Sequence, residues 1–292
     1  MAHSDPALGR ESLLRETELD QAEALVREAG WNQVAADWRI FFELGSVYAV
    51  RNSANRVVAT AATLPYGNRF AWISMVLVAE AYRRQGLARR LLDRCVRDIK
   101  ANGLVPVLDA TPAGRAVYSG LGFQATWGFQ RFACREYRPA APPVAAPAGA
   151  TIRPITDADW PGLCAYDAGI FGANRSAVLD RLRHRVPGAD CVAYRGERIL
   201  GFSLGRDGRS ASQFGPLVAD DEETALAIID RGFAAIEGPI YVDVADSKTA
   251  LHAWLGERGF EVQRPFTRMI FGRSVGFDDP GRTFAVAGPE LG

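Results

Sequence analysis

The chain has 292 residues, 48% hydrophobic and 23% charged, the make-up of a globular protein but long for a single core, so two domains are expected. Lys+Arg and Asp+Glu are equal at 34 each, which excludes a net field suited to nucleic acid or an anionic membrane. Any positive patch must therefore be local.

In chain order, the residues around 12–16 read as a strand, and two helical patterns follow at 20–29 and 33–44. A hairpin is predicted from 47–51 and 57–63 around Ser53-Ala54-Asn55, then a longer strand at 70–78. The next helix puts Leu87, Leu91, Leu92, Cys95, Val96 and Ile99 on one face. A strand at 105–110, a short helix at 114–121 and a strand at 123–134 complete the first half. Residues 137–150 hold four prolines among small residues and read as a semi-extended linker with nothing to bury.

The same order of elements returns after it. A strand at 152–155, helices at 157–170 and 177–185, and paired strands at 191–194 and 199–204 lead to a strand at 210–218. A helix aligned on Leu226, Ile229, Phe233 and Ile236 follows, then a strand at 240–244, a helix through Trp254 and a strand at 260–271. Alternating apolar residues in 277–292 predict a tail packed on the body. The division expected is 11–138, a linker at 139–150, and 151–292.

The most informative stretch is Val76-Leu77-Val78-Ala79-Glu80-Ala81-Tyr82-Arg83-Arg84-Gln85-Gly86-Leu87-Ala88-Arg89. A strand enters a basic, glycine-containing turn and a helix starts at once. A helix N-terminus carries about +0.5 of a charge and normally gathers Asp, Glu, Ser or Thr. Arginines there make sense if an anion occupies the turn, with the free amides of the first helical turn directed at phosphate oxygens. The plainer reading is a solvated basic helix start, which leaves the cations opposed to the dipole.

The second half echoes this stretch without its turn. Pro216-Leu217-Val218-Ala219-Asp220 matches Val76-Leu77-Val78-Ala79-Glu80 at an offset of 140, whereas Ile228-Ile229-Asp230-Arg231 matches Leu91-Leu92-Asp93-Arg94 at 137. The three missing residues fall where the cradle should be. Asp220-Asp221-Glu222-Glu223 stands there instead, a pattern that caps its own helix and repels phosphate.

With these motifs and Tyr118-Ser119-Gly120-Leu121-Gly122-Phe123, the chain resembles the GNAT N-acetyltransferase superfamily, in the form that appends a degenerate second GNAT-like domain. Arg83-Arg84-Gln85-Gly86-Leu87-Ala88 is similar to its (Arg/Gln)-x-x-Gly-x-(Gly/Ala) coenzyme A loop, which Arg89 follows. The resemblance implies an α/β (α+β) fold of tandem GNAT-like domains, each a mixed, largely antiparallel sheet flanked by helices. It implies acetyl-CoA as co-substrate, no metal, and a primary amine as acceptor. It implies that the pantetheine arm lies along Val76, Leu77 and Val78, in a splay between strands, with a backbone N–H at the developing oxyanion. Tyr118 matches the family's tyrosine that protonates the departing thiolate.

A general base is harder to find, and Asp109 and Glu80 are the nearest candidates by position. Trp31, Trp38, Phe41, Phe42 and Tyr48 overlie the expected acceptor wall, mostly as core, with Asp37 a candidate contact for a cationic amine. The run Arg181, Arg183, His184, Arg185 reads as a solvated helix face, and His252 as a partly exposed surface group. Phe171-Gly172-Ala173-Asn174-Arg175 suggests no chemistry.

Cys95, Cys134, Cys164 and Cys191 lack metal-ligand spacing and read as free thiols of a reducing cytoplasm. His3, His184 and His252 offer little material for a zinc site or a Ser-His-Asp triad. Residues 1–9 lack a signal-type apolar core, and no apolar run reaches the roughly 20 residues of a membrane span. The acceptor is expected to be a small molecule, with no nucleic-acid or membrane partner, in a monomer or homodimer. A non-catalytic acyl-CoA sensor and an enzyme using a longer acyl donor stay open at this point.

Overall fold

The computed structural model describes residues 8–139 and 141–292. Readings on residues 1–7, His3 included, and on Ala140 of the linker lie outside the described residues. The chain forms two compact units, 1–107 and 108–292.

The first unit contains β1 (Ser12–Leu13), α1 (Leu19–Glu28), α2 (Ala35–Leu44), β2 (Ser46–Arg51), β3 (Val57–Tyr66), β4 (Phe70–Val78), α3 (Leu87–Ala101) and the beginning of β5 (Val105–Ala110). Its strands run in the order β1-β2-β3-β4-β5, and only β4 and β5 are parallel. The apolar stripe of α3 buries Leu87, Leu91, Leu92, Cys95 and Ile99, and the helix packs on β3 and β4. The aromatic stretch on α2 is core, as expected for aromatics at helical spacing: Trp38 and Phe41 are wholly buried, their rings 6.3 Å apart. Tyr48 donates to Asp98 (2.7 Å), and burial together with that carboxylate pushes its phenol up to about 12.

The second unit holds the end of β5, then α4 (Pro112–Ser119), β6 (Phe123–Cys134), β7 (Thr151–Pro154), α5 (Trp160–Phe171), α6 (Ser176–Leu182), β8 (Cys191–Arg195) and β9 (Arg198–Arg206). It continues with β10 (Ser212–Ala219), α7 (Glu222–Ala234), β11 (Ile240–Ala245), α8 (Thr249–Glu257), β12 (Glu261–Phe271) and β13 (Thr283–Ala285). The strand order is β12-β6-β11-β13-β10-β9-β8-β7.

The compact units therefore do not coincide with the repeat read along the chain. Strand β6 closes the first half in sequence, yet pairs on one side with β12 and on the other with β11. Its Arg131 makes a buried two-bond pair with Asp243 of β11 (2.7 and 2.8 Å), and Gln213 of β10 donates to the same carboxylate. The linker is also more embedded than its composition suggests. Tyr137 is buried against Phe233, Trp254 and Phe260, and Asp230 of α7 accepts from both the Tyr137 hydroxyl (2.5 Å) and the Val144 amide (2.9 Å). Composition showed a stiff, proline-rich segment of mostly small residues; the carboxylate that anchors it lies far along the chain.

Asp190 gives this unit a pH dependence. It is buried, accepts from the amides of His184 (2.7 Å) and Gly205 (3.3 Å), and burial pushes its carboxyl up to about 6. A folded-state value above the unfolded one near 3.9 means that the folded chain binds the proton more tightly. The stabilisation is complete below about pH 4 and is lost as the pH rises to 6, by ~3 kcal/mol for a shift of about two units. Melting temperatures from pH 4 to 7 should fall for the wild type and fall less for Asp190→Asn.

Candidate active site

Strand β4 is buried along its length except at Val76 and Val78, which are half-buried. Its parallel register with β5 joins Phe70–Trp72 to Val105–Val107 and ends there, while pairing with β3 runs on to Val78. Within that outer stretch the strand bulges: Ser74 faces Ala62 and Leu77 faces Thr60, so Met75 and Val76 share the position opposite Ala61. Met75 adopts φ +51°, a left-handed conformation that disfavours a side-chain-bearing residue by ~1–2 kcal/mol. The buried Thr60 hydroxyl donates to the Met75 carbonyl (3.0 Å) and holds the bulge in place. A bulge of this kind bends the strand and re-aims its backbone groups.

Beyond Val78 the chain forms a short 3-10 turn at Glu80–Tyr82 and then the basic turn. Arg83 is extended, Arg84 takes φ +61°, and Gly86, the N-cap of α3, takes φ +78°. Among the described residues no side chain caps α3, which leaves its first-turn amides available to an outside acceptor. Arg83, Arg84, Ala88 and Arg89 are exposed around them, and Leu87 is core. The Arg83 Nε donates to the Val78 carbonyl (3.3 Å) and Gln85 to that of Ala81 (3.5 Å), tying the turn to the strand end. Arg89 pairs with Asp93 (3.0 Å) and Arg90 with Glu11 (2.7 Å). Neither Arg83 nor Arg84 forms an ion pair among the described residues. A cation held in a disfavoured backbone region, beside free amides and with no carboxylate partner, is the arrangement expected of an anion site.

The corresponding helix of the second unit has the opposite chemistry. Asp221 caps α7 by accepting from the Thr224 amide (2.8 Å), and Glu222 and Glu223 lie in the first turn.

Tyr118 lies in the second unit, on α4, which Thr111 caps through the Gly114 amide (3.3 Å). Its ring packs 6.2 Å from that of Phe123, and burial raises its phenol above the ordinary value. The hydroxyl makes no hydrogen bond among the described residues. Gly114, one turn earlier, clears the ring: a Cβ there would lie 2.7 Å from it.

Asp109 also belongs to this unit, and its surroundings do not suit a base. The carboxylate is wholly buried, and each oxygen accepts from Arg268 (3.0 Å). Arg268 is also bound to Asp278 (2.6 Å) and stacked over Trp127, its guanidinium carbon 4.4 Å from the ring centre. Burial outweighs the pairing and pushes Asp109 up to about 6. Removing one member of a buried pair strands the other, so Asp109→Ala should cost ~3 kcal/mol of stability in chemical denaturation. Nothing within the hexapeptide 105–110 foretells Arg268, which lies 159 residues away.

The other candidates also resolve into structure. Asp37 accepts from the Val34 amide (2.9 Å) at the start of α2. Glu80 is exposed, and its own amide is held by the Glu28 carboxylate. The basic run is paired: Arg181 with Asp180, Arg183 with Asp157 and Asp180, Arg185 with Asp207. His252 is half-buried, edge-on to Phe132 at 4.9 Å, and Arg175 is bound by Asp167 through two 2.9 Å bonds. All four cysteines are free thiols. No helix among the described residues is long and apolar enough to cross a membrane.

Two acetyltransferase matches cover the two halves: the acetyltransferase (GNAT) family over residues 12–123 and an acetyltransferase (GNAT) domain over 163–284. The chain belongs to the GNAT superfamily, as a tandem protein. This GNAT chain is an acyltransferase. It is 26% identical over 239 residues to the uncharacterized N-acetyltransferase YitH of Bacillus subtilis, covering 81% of this chain and 82% of that one. A putative acetyltransferase from Pyrococcus horikoshii has the same fold, with TM-score 0.78, 17% identity, and 98% and 96% of the two chains covered. A tandem GNAT protein from the clavulanic acid biosynthesis pathway superposes with TM-score 0.65 at 16% identity, covering 90% of this chain and 98% of that one. These likenesses show the tandem GNAT fold, its mixed sheets flanked by helices. The GNAT family uses acetyl-CoA as co-substrate, and its members transfer acyl groups.

Proposed function

We propose that this GNAT chain transfers an acetyl group from acetyl-CoA to a primary amine of a small molecule by direct attack. The observation that carries the reading is the N-terminus of α3, without a side-chain cap and ringed by Arg83, Arg84 and Arg89, with Arg84 held left-handed and without an ion pair among the described residues. Free amides of Leu87, Ala88 and Arg89 and the guanidinium of Arg84 would hold the pyrophosphate, with Gly86 giving it close approach. The stretch Val76, Leu77, Val78 after the bulge, with Val76 and Val78 half-buried and Leu77 buried, would pair through its backbone with the pantetheine amides, and a backbone N–H freed by the bulge would face the thioester oxygen. Gln85 closes the turn by its bond to Ala81.

Tyr118 acts in this scheme as general acid toward the departing thiolate. Its burial keeps the phenol protonated through neutral pH, and its hydroxyl makes no hydrogen bond among the described residues. Asp109 is assigned a structural role, and the proton of the attacking ammonium leaves to water. An ordinary alkylamine of pKa near 10.4 is mostly protonated at pH 7, a deficit of ~4.6 kcal/mol, so the rate should climb with pH through the neutral range. The capped, acidic start of α7 supports a second unit without a nucleotide site. The four free thiols support a reducing cytoplasm.

Calorimetry with acetyl-CoA should give one site per chain, and release of CoA thiol should be seen with some member of an amine panel spanning amino acids, polyamines and aminoglycosides. Absence of acetyl-CoA binding would overturn the reading. Binding with longer acyl thioesters turned over faster than acetyl would change the donor.

A further inference from the structure

The repeat brings out a difference between the two pairs of parallel strands. In the first unit the β4–β5 register covers three residue pairs and ends. In the second, β10 and β11 are likewise parallel for three pairs, Ser212 to Phe214 against Ile240 to Val242, and then separate. At the 140-residue offset, Gly215 (φ +141°) corresponds to the bulge residue Met75, and the β9–β10 register shifts at the same place. Here the gap is filled. Strand β13 lies between the two, with Ala285 opposite both Leu217 of β10 and Val244 of β11, and Thr283 opposite Val218.

The filling segment is held at each end and along its backbone. The Val286 amide donates to the Asp243 carbonyl and the Ala219 amide to that of Arg282, both at 3.0 Å. The side chains of Phe284, Val286 and Leu291 are buried, and Glu290 pairs with Arg206 in the interior. Arg175 donates to the Gly292 carbonyl (2.7 Å), so the loop at 171–175, silent in the sequence, anchors the end of this segment. Two glycines make room for it. A Cβ on Gly172 would lie 2.0 Å from the Phe277 carbonyl oxygen, and one on Gly215 would lie 2.1 Å from that of Val286.

We infer that the second unit keeps a strand-accepting cleft between β10 and β11, and that its ligand is an extended peptide: the chain's own residues 283–291. Pairing on both edges supplies affinity, and the buried Phe284, Val286, Glu290 and Leu291 supply selectivity, the general logic of strand addition. The cleft opens where the strands part, so the occupant must be extended and must bring amides. This inference is independent of the acetyl-transfer reading.

The test uses the full chain with a specific protease site placed at Val275, which is 66% exposed. After cleavage, the severed segment should stay bound through gel filtration. A labelled synthetic peptide of residues 276–292 should exchange into the cleft at one per chain. The same peptide with Val286→Pro, which lacks the amide bonded to Asp243, should exchange at least about 10-fold less well. In the uncleaved Gly215→Ala chain, hydrogen exchange at 283–287 should accelerate about 100-fold while α7 keeps its protection, as local opening requires. Immediate loss of the severed segment with β10 and β11 unchanged, equal exchange by both peptides, or unaltered protection in Gly215→Ala would each overturn the inference. Should Gly215→Ala fail to fold, the cleavage and peptide results decide alone. Exchange of segments between two copies of the cleaved chain counts for the cleft.

Discussion

Tyr118→Phe should lower kcat about 100-fold, the low end for loss of a general acid because a thiolate leaves comparatively well. The KM for acetyl-CoA should stay within a factor of about two, since no nucleotide contact is removed. Phenylalanine keeps the ring against Phe123 and beside Gly114, and the hydroxyl has no bond to lose among the described residues, so the melting temperature should hardly move. That separation matters: a tyrosine serving only as packing would show the reverse, full activity in the variant. The measurement is steady-state thiol release across pH. With the phenol raised by burial, the wild-type rate should show no decline from Tyr118 ionisation below pH 10, the ordinary phenol value.

Arg84 supports the second large expectation. Arg84→Glu should weaken acetyl-CoA binding by two orders of magnitude or more, about 3 kcal/mol, because a charge-assisted contact of ~1.5–3 kcal/mol is replaced by repulsion. Arg84→Gly is the sharper probe. At φ +61° glycine removes the guanidinium without straining the backbone, so binding should fall about 10-fold while the melting temperature holds. Calorimetry beside thermal unfolding distinguishes the outcomes. A turn that merely starts a helix would bind acetyl-CoA equally well in both variants. High salt should weaken the wild type more than Arg84→Gly, since one fewer charge is screened.

Much of the fold was legible. Strands such as 70–78, 105–110 and 123–134 carry apolar runs bounded by turn residues, and they appear with those bounds. The basic turn before α3 was legible because its pattern is local: cations at a helix start are a misfit, and the structure places Arg83 and Arg84 there, exposed. The Asp221 cap was legible for the same reason. The bulge at Met75 was not, since a left-handed methionine has no sequence signature and is held by a hydroxyl fifteen residues away. Gly114 had a signal that went unread, a glycine one helical turn before the aromatic it clears.

Asp109 shows why the rest failed. A carboxylate at a strand end looks the same in sequence whether it meets solvent, an amine or an arginine. Its guanidinium partner comes from β12, across strand pairings that the chain order conceals. The placement of β6 between β11 and β12, and of β13 between β10 and β11, belongs to the same class of fact. Both depend on which unpaired strand edge a distant segment reaches, and backbone hydrogen bonding accepts any strand of suitable length. From the sequence alone came the tandem repeat and the family, and the contrast between a basic turn before α3 and an acidic cap before α7, because each motif is written in neighbours within a few residues. Only the tertiary structure decided the partners of the buried charges and the place of β13, because those contacts depend on which segments meet in space: Asp109 and Arg268 are 159 residues apart, and Arg131 and Asp243 are 112.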